Sequence, residues 1–133
     1  MKKYLLDSHT LIWAIADDDK LPRPILDLLQ DKACPLFVSA ISLWEIALKQ
    51  SIKKLELNFT IGDIPLYCQQ MGFSLIPLIP LEVLDFVKLP QKKNHKDPFD
   101  RMLVCQCIAN GYTLVSKDAR MAEYKVDGLE CIW

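Results

Sequence analysis

Four short stretches of this chain place carboxylates where they could do chemistry: LLDS around Asp7, LWEIA around Glu45, DPFDR with Asp97 and Asp100, and SKD around Asp118. Aspartate and glutamate offer hard oxygen atoms. With no recurring imidazole or thiolate beside them, a shared site built from these residues would favour Mg2+ or Mn2+. Charge repulsion points the same way, because two like charges ~4 Å apart repel by about 4 kcal/mol at an effective dielectric of 20. Several acids converging on one point therefore require cations to offset them. Such ions bring in phosphate groups, activate a water and stabilise a leaving oxygen, so phosphodiester hydrolysis is the chemistry implied.

Each acid taken singly also has a plainer explanation. Asp97-Pro98-Phe99-Asp100 fits the cap and first three positions of a helix, and Ser42-Leu43-Trp44-Glu45 has the form of a capping box. Asp7 and Asp118 precede segments that they could cap in the same way. Capping explains one acid at each helix start but not several directed at a common centre. The elements that carry the acids decide between the two.

The spacing predicts a strand at KYLL, then a helix through Leu11, Ile12, Ala14 and Ile15. A second helix is expected from Pro22 or Pro24 through Leu29, and PLFVSA repeats the opening strand pattern. Ile41, Trp44, Ala47, Leu48 and Ile52 follow helical spacing. A helix over 61–71 should stop at Gly72, followed by a strand in FSLIPL and a helix over 81–87. QKKNHK reads as a polar loop. Asp97-Pro98 opens a helix that Asn110-Gly111 ends, TLVS follows as a strand, and LECIW is a last strand. Alternation of this kind predicts an α/β chain, a three-layer α/β/α sandwich on a central parallel sheet, forming one domain over residues 1–133 with right-handed crossovers. In such a sheet, ligands bind beyond the carboxyl ends of the strands. Asp7 and Asp118 lie at those ends, and Glu45 and Asp100 lie in the first turns of helices that start there.

Composition supports a packed domain. The 133 residues are 51% hydrophobic and 25% charged, and a chain of this length buries roughly two-thirds of its unfolded surface. Lys and Arg number 16 against 17 Asp and Glu, so bulk charge gives no attraction to polyanions and any such contact needs a local patch. Asp7 interrupts the opening apolar stretch too early for a secretory leader, and no run approaches the ~20 residues of a membrane span, so the reading is cytoplasmic. The five cysteines sit in mainly apolar segments and read as buried reduced thiols. Without a C-x-x-C pair, and with only His9 and His95 to complete a set, they do not form a zinc motif.

LLDSHTLIW, VSAISLWEIALK, HKDPFDRMLVCQC and TLVSKDARM, in this order and spacing, resemble the PIN-domain proteins, and among them the VapC-like toxins of bacterial type II toxin–antitoxin pairs. The likeness spans nearly the whole chain. It implies a Mg2+- or Mn2+-dependent endoribonuclease in which metal-activated water attacks an RNA phosphodiester and leaves a 5′-phosphate. By position it implies metal-binding and catalytic roles for Asp7, Glu45 and Asp100, with Asp118 completing the set directly or through water. Asp97 is expected to act as a helix cap behind these ligands, and Ser116 to offer a hydroxyl to a carboxylate or a metal-bound water.

The implied partners are an RNA substrate, a second copy in a homodimer, and a VapB-like antitoxin whose C-terminal segment enters the acidic groove, one arginine displacing or mimicking the metal. Lys49, Lys92, Lys93, Lys96 and Arg101 adjoin the acids and are the expected contacts to the RNA backbone. Trp13 and Trp44 fit either the core or a partner surface, and His9 reads as packed rather than as a general base. Two other readings stay open: a PIN-like nuclease of DNA or of RNA processing, and a non-catalytic module whose acidic groove holds a basic peptide.

Overall fold

Helices in this chain start at acids, serines or prolines and stop at glycines, and those boundaries set the strands between them. In the structure, a computed structural model that describes residues 1–133, β1 (Lys3–Leu6) ends at Asp7. The Asp7 backbone is still extended, and its carboxylate caps α1 (Ser8–Ala16) by accepting from the Thr10 amide at 2.8 Å. Pro22 precedes α2 (Arg23–Gln30) and Pro24 lies within its first turn. Ser39 closes β2 (Leu36–Ser39) and caps α3 (Ala40–Ser51) through the Ile41 amide.

The helix expected over 61–71 is divided into a 3-10 turn at Ile61–Asp63 and α4 (Ile64–Met71). Pro65 is the physical reason, since its ring clashes with the carbonyl four residues earlier and tolerates only a first turn. Gly72, at φ 79°, ends α4 in the left-handed region and hands the chain to β3 (Phe73–Ile76). Next come α5 (Pro80–Asp85), a 3-10 turn, and α6 (Pro98–Asn110), which Asp97 caps and Gly111 stops at φ 71°. β4 (Tyr112–Val115), a 3-10 segment over Ala119–Asp127 and β5 (Glu130–Ile132) complete the chain.

All pairings in the five-stranded sheet are parallel, in the order β3-β2-β1-β4-β5. The chain builds outward from β1 on one side, then returns to add β4 and β5 on the other. Leu5 and Leu6 face opposite sides of β1, as Leu114 and Val115 do in β4, and all four are fully buried. Leu6 and Val115 pack with Leu11, Ile25, Leu29, Ile64 and Cys68 of α1, α2 and α4. Leu5 and Leu114 pack with α6 and with Met121 and Tyr124 of the 3-10 segment. These two apolar layers, one on each sheet face, make the expected α/β/α sandwich. The cysteines are free, three of them buried, and no helix is long and apolar enough to cross a membrane.

Candidate metal centre

Because the sheet grows in both directions from β1, loops diverge on either side of the β1–β4 pair and leave a crevice at the strands' carboxyl ends. The acids meet there. Asp7 leaves the end of β1, Glu45 projects from α3, Asp97 and Asp100 stand at the start of α6, and Asp118 follows β4. All five line one cleft of about 410 Å³, with Lys49, Lys117 and Arg120 as its only lysines and arginine. Five carboxylates against three cations leave the cleft formally negative.

Distances divide the cluster. One oxygen each from Glu45, Asp97 and Asp100 lie within 4.8 Å of one another, and an oxygen of Asp100, one of Asp118 and a ring nitrogen of His95 do the same. Asp100 belongs to both sets. Asp7 lines the same cleft but stands outside both, whereas Asp97, expected as a helix cap behind the ligands, belongs to the first. Asp97 does cap the helix, accepting from the Phe99 and Asp100 amides at 2.8 and 3.1 Å, but both bonds use Oδ1. Its second oxygen is left without a donor from the protein.

The other acids are held unequally. Asp7 Oδ1 takes the Thr10 amide and hydroxyl, and Glu45 takes Ser8 Oγ at 2.6 Å on one oxygen and Lys49 Nζ at 2.5 Å on the other. Asp118 is gripped on both oxygens by the Arg120 guanidinium, at 2.7 to 3.2 Å. Asp100 has only His95 Nε2 within hydrogen-bond reach of its carboxylate, at 3.4 Å. Burial, then the charges of Asp97, Glu45, Asp7 and Asp118, push Asp100 from the ordinary 3.8 up to about 7. Arg120's hydrogen bonds pull Asp118 the other way, below its usual range. Burial works to lower Lys49, yet Glu45's hydrogen bond and charge raise it overall. Oxygen donors left unsatisfied, excess negative charge and a shared central carboxylate suit a hard divalent cation, so the residues present fit Mg2+ or Mn2+.

Two of the five expected contacts to RNA, Arg101 and Lys92, are engaged within the protein. Arg101 is 5% exposed: its guanidinium donates to the Pro90 and Leu89 carbonyls and to Tyr124, and stacks on Phe86. Helical geometry explains this, since one residue after Asp100 is a turn of ~100° toward the core. Lys92 is tied to Asp127 at 2.9 Å and lies over the Tyr124 ring. Lys93 and Lys96 are exposed, and Lys49 lines the cleft. Ser116 is buried and its hydroxyl accepts from the Asp118 amide, which shapes the loop.

Trp13 stands on the cleft wall against His9 and Trp133, whereas Trp44 is 60% exposed and packs edge-on against Phe99. Sequence reading missed Ser8, Arg120 and His95. Ser8 and Arg120 sit inside the quoted motifs, one and two residues after their acids. His95 heads the quoted HKDPFDR motif, but its loop reads as solvated whereas the ring is fully buried.

The comparisons follow this geometry. The PIN domain family matches residues 4–127. "Ribonuclease VapC22" of Mycobacterium tuberculosis (strain ATCC 25618 / H37Rv) is 27% identical over 135 residues that span all of both chains. Among solved structures, VapBC2 from Rickettsia felis, bound to a DNA fragment from its promoter, superposes with a TM-score of 0.69 at 18% identity, over 97% of this chain and 96% of that one. DNA-bound VapBC from Salmonella typhimurium gives 0.67 at 17% identity, over 99% and 98%.

Proposed function

The chain belongs to the PIN-domain family, and from that footing we propose that it is a metal-dependent endoribonuclease, the toxin of a type II toxin–antitoxin pair, acting in the cytoplasm as one domain over residues 1–133. The observation that carries this reading is the convergence of Asp7, Glu45, Asp97, Asp100 and Asp118 in one cleft, with carboxylate oxygens that no protein donor satisfies. Mg2+ or Mn2+ held there supplies a water of lowered pKa and offsets charge on a phosphodiester. Asp100, Glu45 and Asp97, together with Asp7 and Asp118, are the residues that would hold it.

The chain's own groups prepare the rest. Ser8 and Lys49 fix the Glu45 carboxylate from two sides, so that its orientation costs little when substrate arrives. Lys49 and Lys117 on the cleft wall, with the exposed Lys93 and Lys96, are the groups proposed to meet phosphates, and Trp13 offers a base a flat face beside the acids. Within the chain, the Asp118–Arg120 pair sets a precedent for an antitoxin arginine, because a cleft carboxylate already holds a guanidinium fork. The relative named VapC22 and the VapBC neighbours support a VapB-like partner. Around Trp44, an apolar groove with Val83, Phe86 and Phe99, beside exposed Leu81 and Leu84, is the face proposed for a homodimer.

The test is cleavage of matched RNA and DNA oligonucleotides with Mg2+, with Mn2+ and with chelator. RNA cut to 5′-phosphate products, lost on chelation and in Asp7→Asn, supports the reading. DNA cut equally well favours the general nuclease. No cleavage with no saturable Mn2+ uptake at millimolar concentration would leave only a peptide-binding groove. Growth arrest on expression, relieved by a neighbouring open reading frame, tests the toxin role.

A further inference from the structure

Behind Asp100 runs a buried chain of polar groups that none of the roles above uses. Arg101 Nη1 donates to the Tyr124 hydroxyl at 3.1 Å, that hydroxyl meets His95 Nδ1 at 2.7 Å, and His95 Nε2 faces Asp100 Oδ2 at 3.4 Å. His95 and Tyr124 are fully buried, and Arg101 is nearly so. Guanidinium has donors only, so the Tyr124 oxygen accepts from Arg101 and must send its own proton onward. The acceptor within reach is His95 Nδ1. A neutral imidazole that accepts at Nδ1 carries its hydrogen on Nε2, aimed at the carboxylate. In the opposite tautomer the tyrosine proton has no acceptor, and a ring lone pair faces a carboxylate oxygen.

We propose that His95 is a positioning residue for Asp100, locked by Arg101 and Tyr124 as the Nε2–H tautomer so that it orients the central carboxylate of the cleft toward a divalent cation without binding that cation itself. The assignment rests on the metal-centre reading. It also distinguishes the two cluster members that lie within 4.8 Å of Asp100 on that side: Asp118 as a ligand, His95 as a donor. Partners standing behind a metal ligand in this way typically matter by about 10- to 100-fold in metal affinity.

Long-range 1H–15N correlation of the histidine rings in the metal-free protein tests the tautomer. The expected result is a proton on His95 Nε2, an unprotonated Nδ1, no change when Mg2+ is added, and a second tautomer appearing in Tyr124→Phe. Calorimetry with Mn2+ is then expected to show His95→Leu weakened about 10- to 100-fold and His95→Gln, whose amide can still donate, within about three-fold of the unaltered chain. A proton on Nδ1, loss of the Nε2 proton on adding Mg2+, or a Gln variant as weak as the Leu variant overturns the assignment. If the unaltered chain takes up no cation, the metal-centre reading falls and this role falls with it, a failure visible in that titration alone.

Discussion

Helix α6 carries polar groups near both ends, and the two ends treat a carboxylate withdrawn from bulk water in opposite ways. Toward the C-terminal end, Glu82 of α5 has both oxygens filled: Gln106 Nε2 donates to one at 2.8 Å and Asn110 Nδ2 to the other at 3.2 Å. Gln106 in turn accepts from Ser39 and donates to the Pro77 carbonyl, so the network ties α5, α6 and the end of β2 together. At the N-terminal end, Asp100 has one long bond and four carboxylates around it. Saturated acceptors hold a fold, whereas starved ones are available to a ligand. The same residue type serves stability at one end of the helix and, on the proposed reading, binding at the other.

Replacing the starved acid should have the largest effect. Asp100→Asn is expected to lower kcat/KM for RNA by about 10³-fold or more, on the order of 4 kcal/mol, in single-turnover assays with Mg2+. The same variant should be more stable than the parent without metal. An acid raised from 3.8 to about 7 gives stability that is fully present below its ordinary value and lost as pH rises through about 7. Asparagine removes that loss. The variant should therefore gain up to about 4 kcal/mol in metal-free urea unfolding at pH 8, shrinking toward nothing near pH 4. A variant less stable than the parent at pH 8 would break the contrast between the two ends.

Glu82→Ala should behave in the opposite sense. It is expected to cost about 1–3 kcal/mol in unfolding free energy, because it leaves one hydrogen of the buried Gln106 amide without its acceptor, while leaving Mn2+ affinity within about two-fold. Smaller still is Arg120→Gln. Its side chain is 52% exposed, so stability should move by less than about 1 kcal/mol. With Asp118 freed, Mn2+ should bind a few-fold more tightly by calorimetry, and weaker binding would mean that Arg120 helps the site rather than masking it.

Much of the fold and of the acid cluster is legible in the sequence, and the part that is not has a physical cause. The strands, the caps at Asp7 and Asp97, and the stops at Gly72 and Gly111 depend on neighbours within a few positions, which a linear reading sees, whereas α3 is capped by Ser39 and not by the Ser42 of the expected capping box. Gathering the acids into one cleft follows from sheet topology, which alternation of strand and helix already implies. Arg101 was misread because its basic neighbours in the sequence are not its neighbours in space. The role of His95 was not legible because its partner Tyr124 lies 29 residues further on, and only packing brings the two rings together. Long-range polar pairs of this kind leave no periodic trace.

The placement of β1 between β2 and β4 has a bearing on how the protein is made. Asp7 and Glu45 leave the ribosome early, but β1 gains its second neighbour only when Tyr112–Val115 arrive and pair with Lys3–Leu6. Asp118 emerges later still. Pairing across so long a stretch of chain is slow to form, so a growing polypeptide holds a half-built trough rather than a cutting edge. A site of this topology therefore stays incomplete on the growing chain until the strand that leads to its last acid has paired.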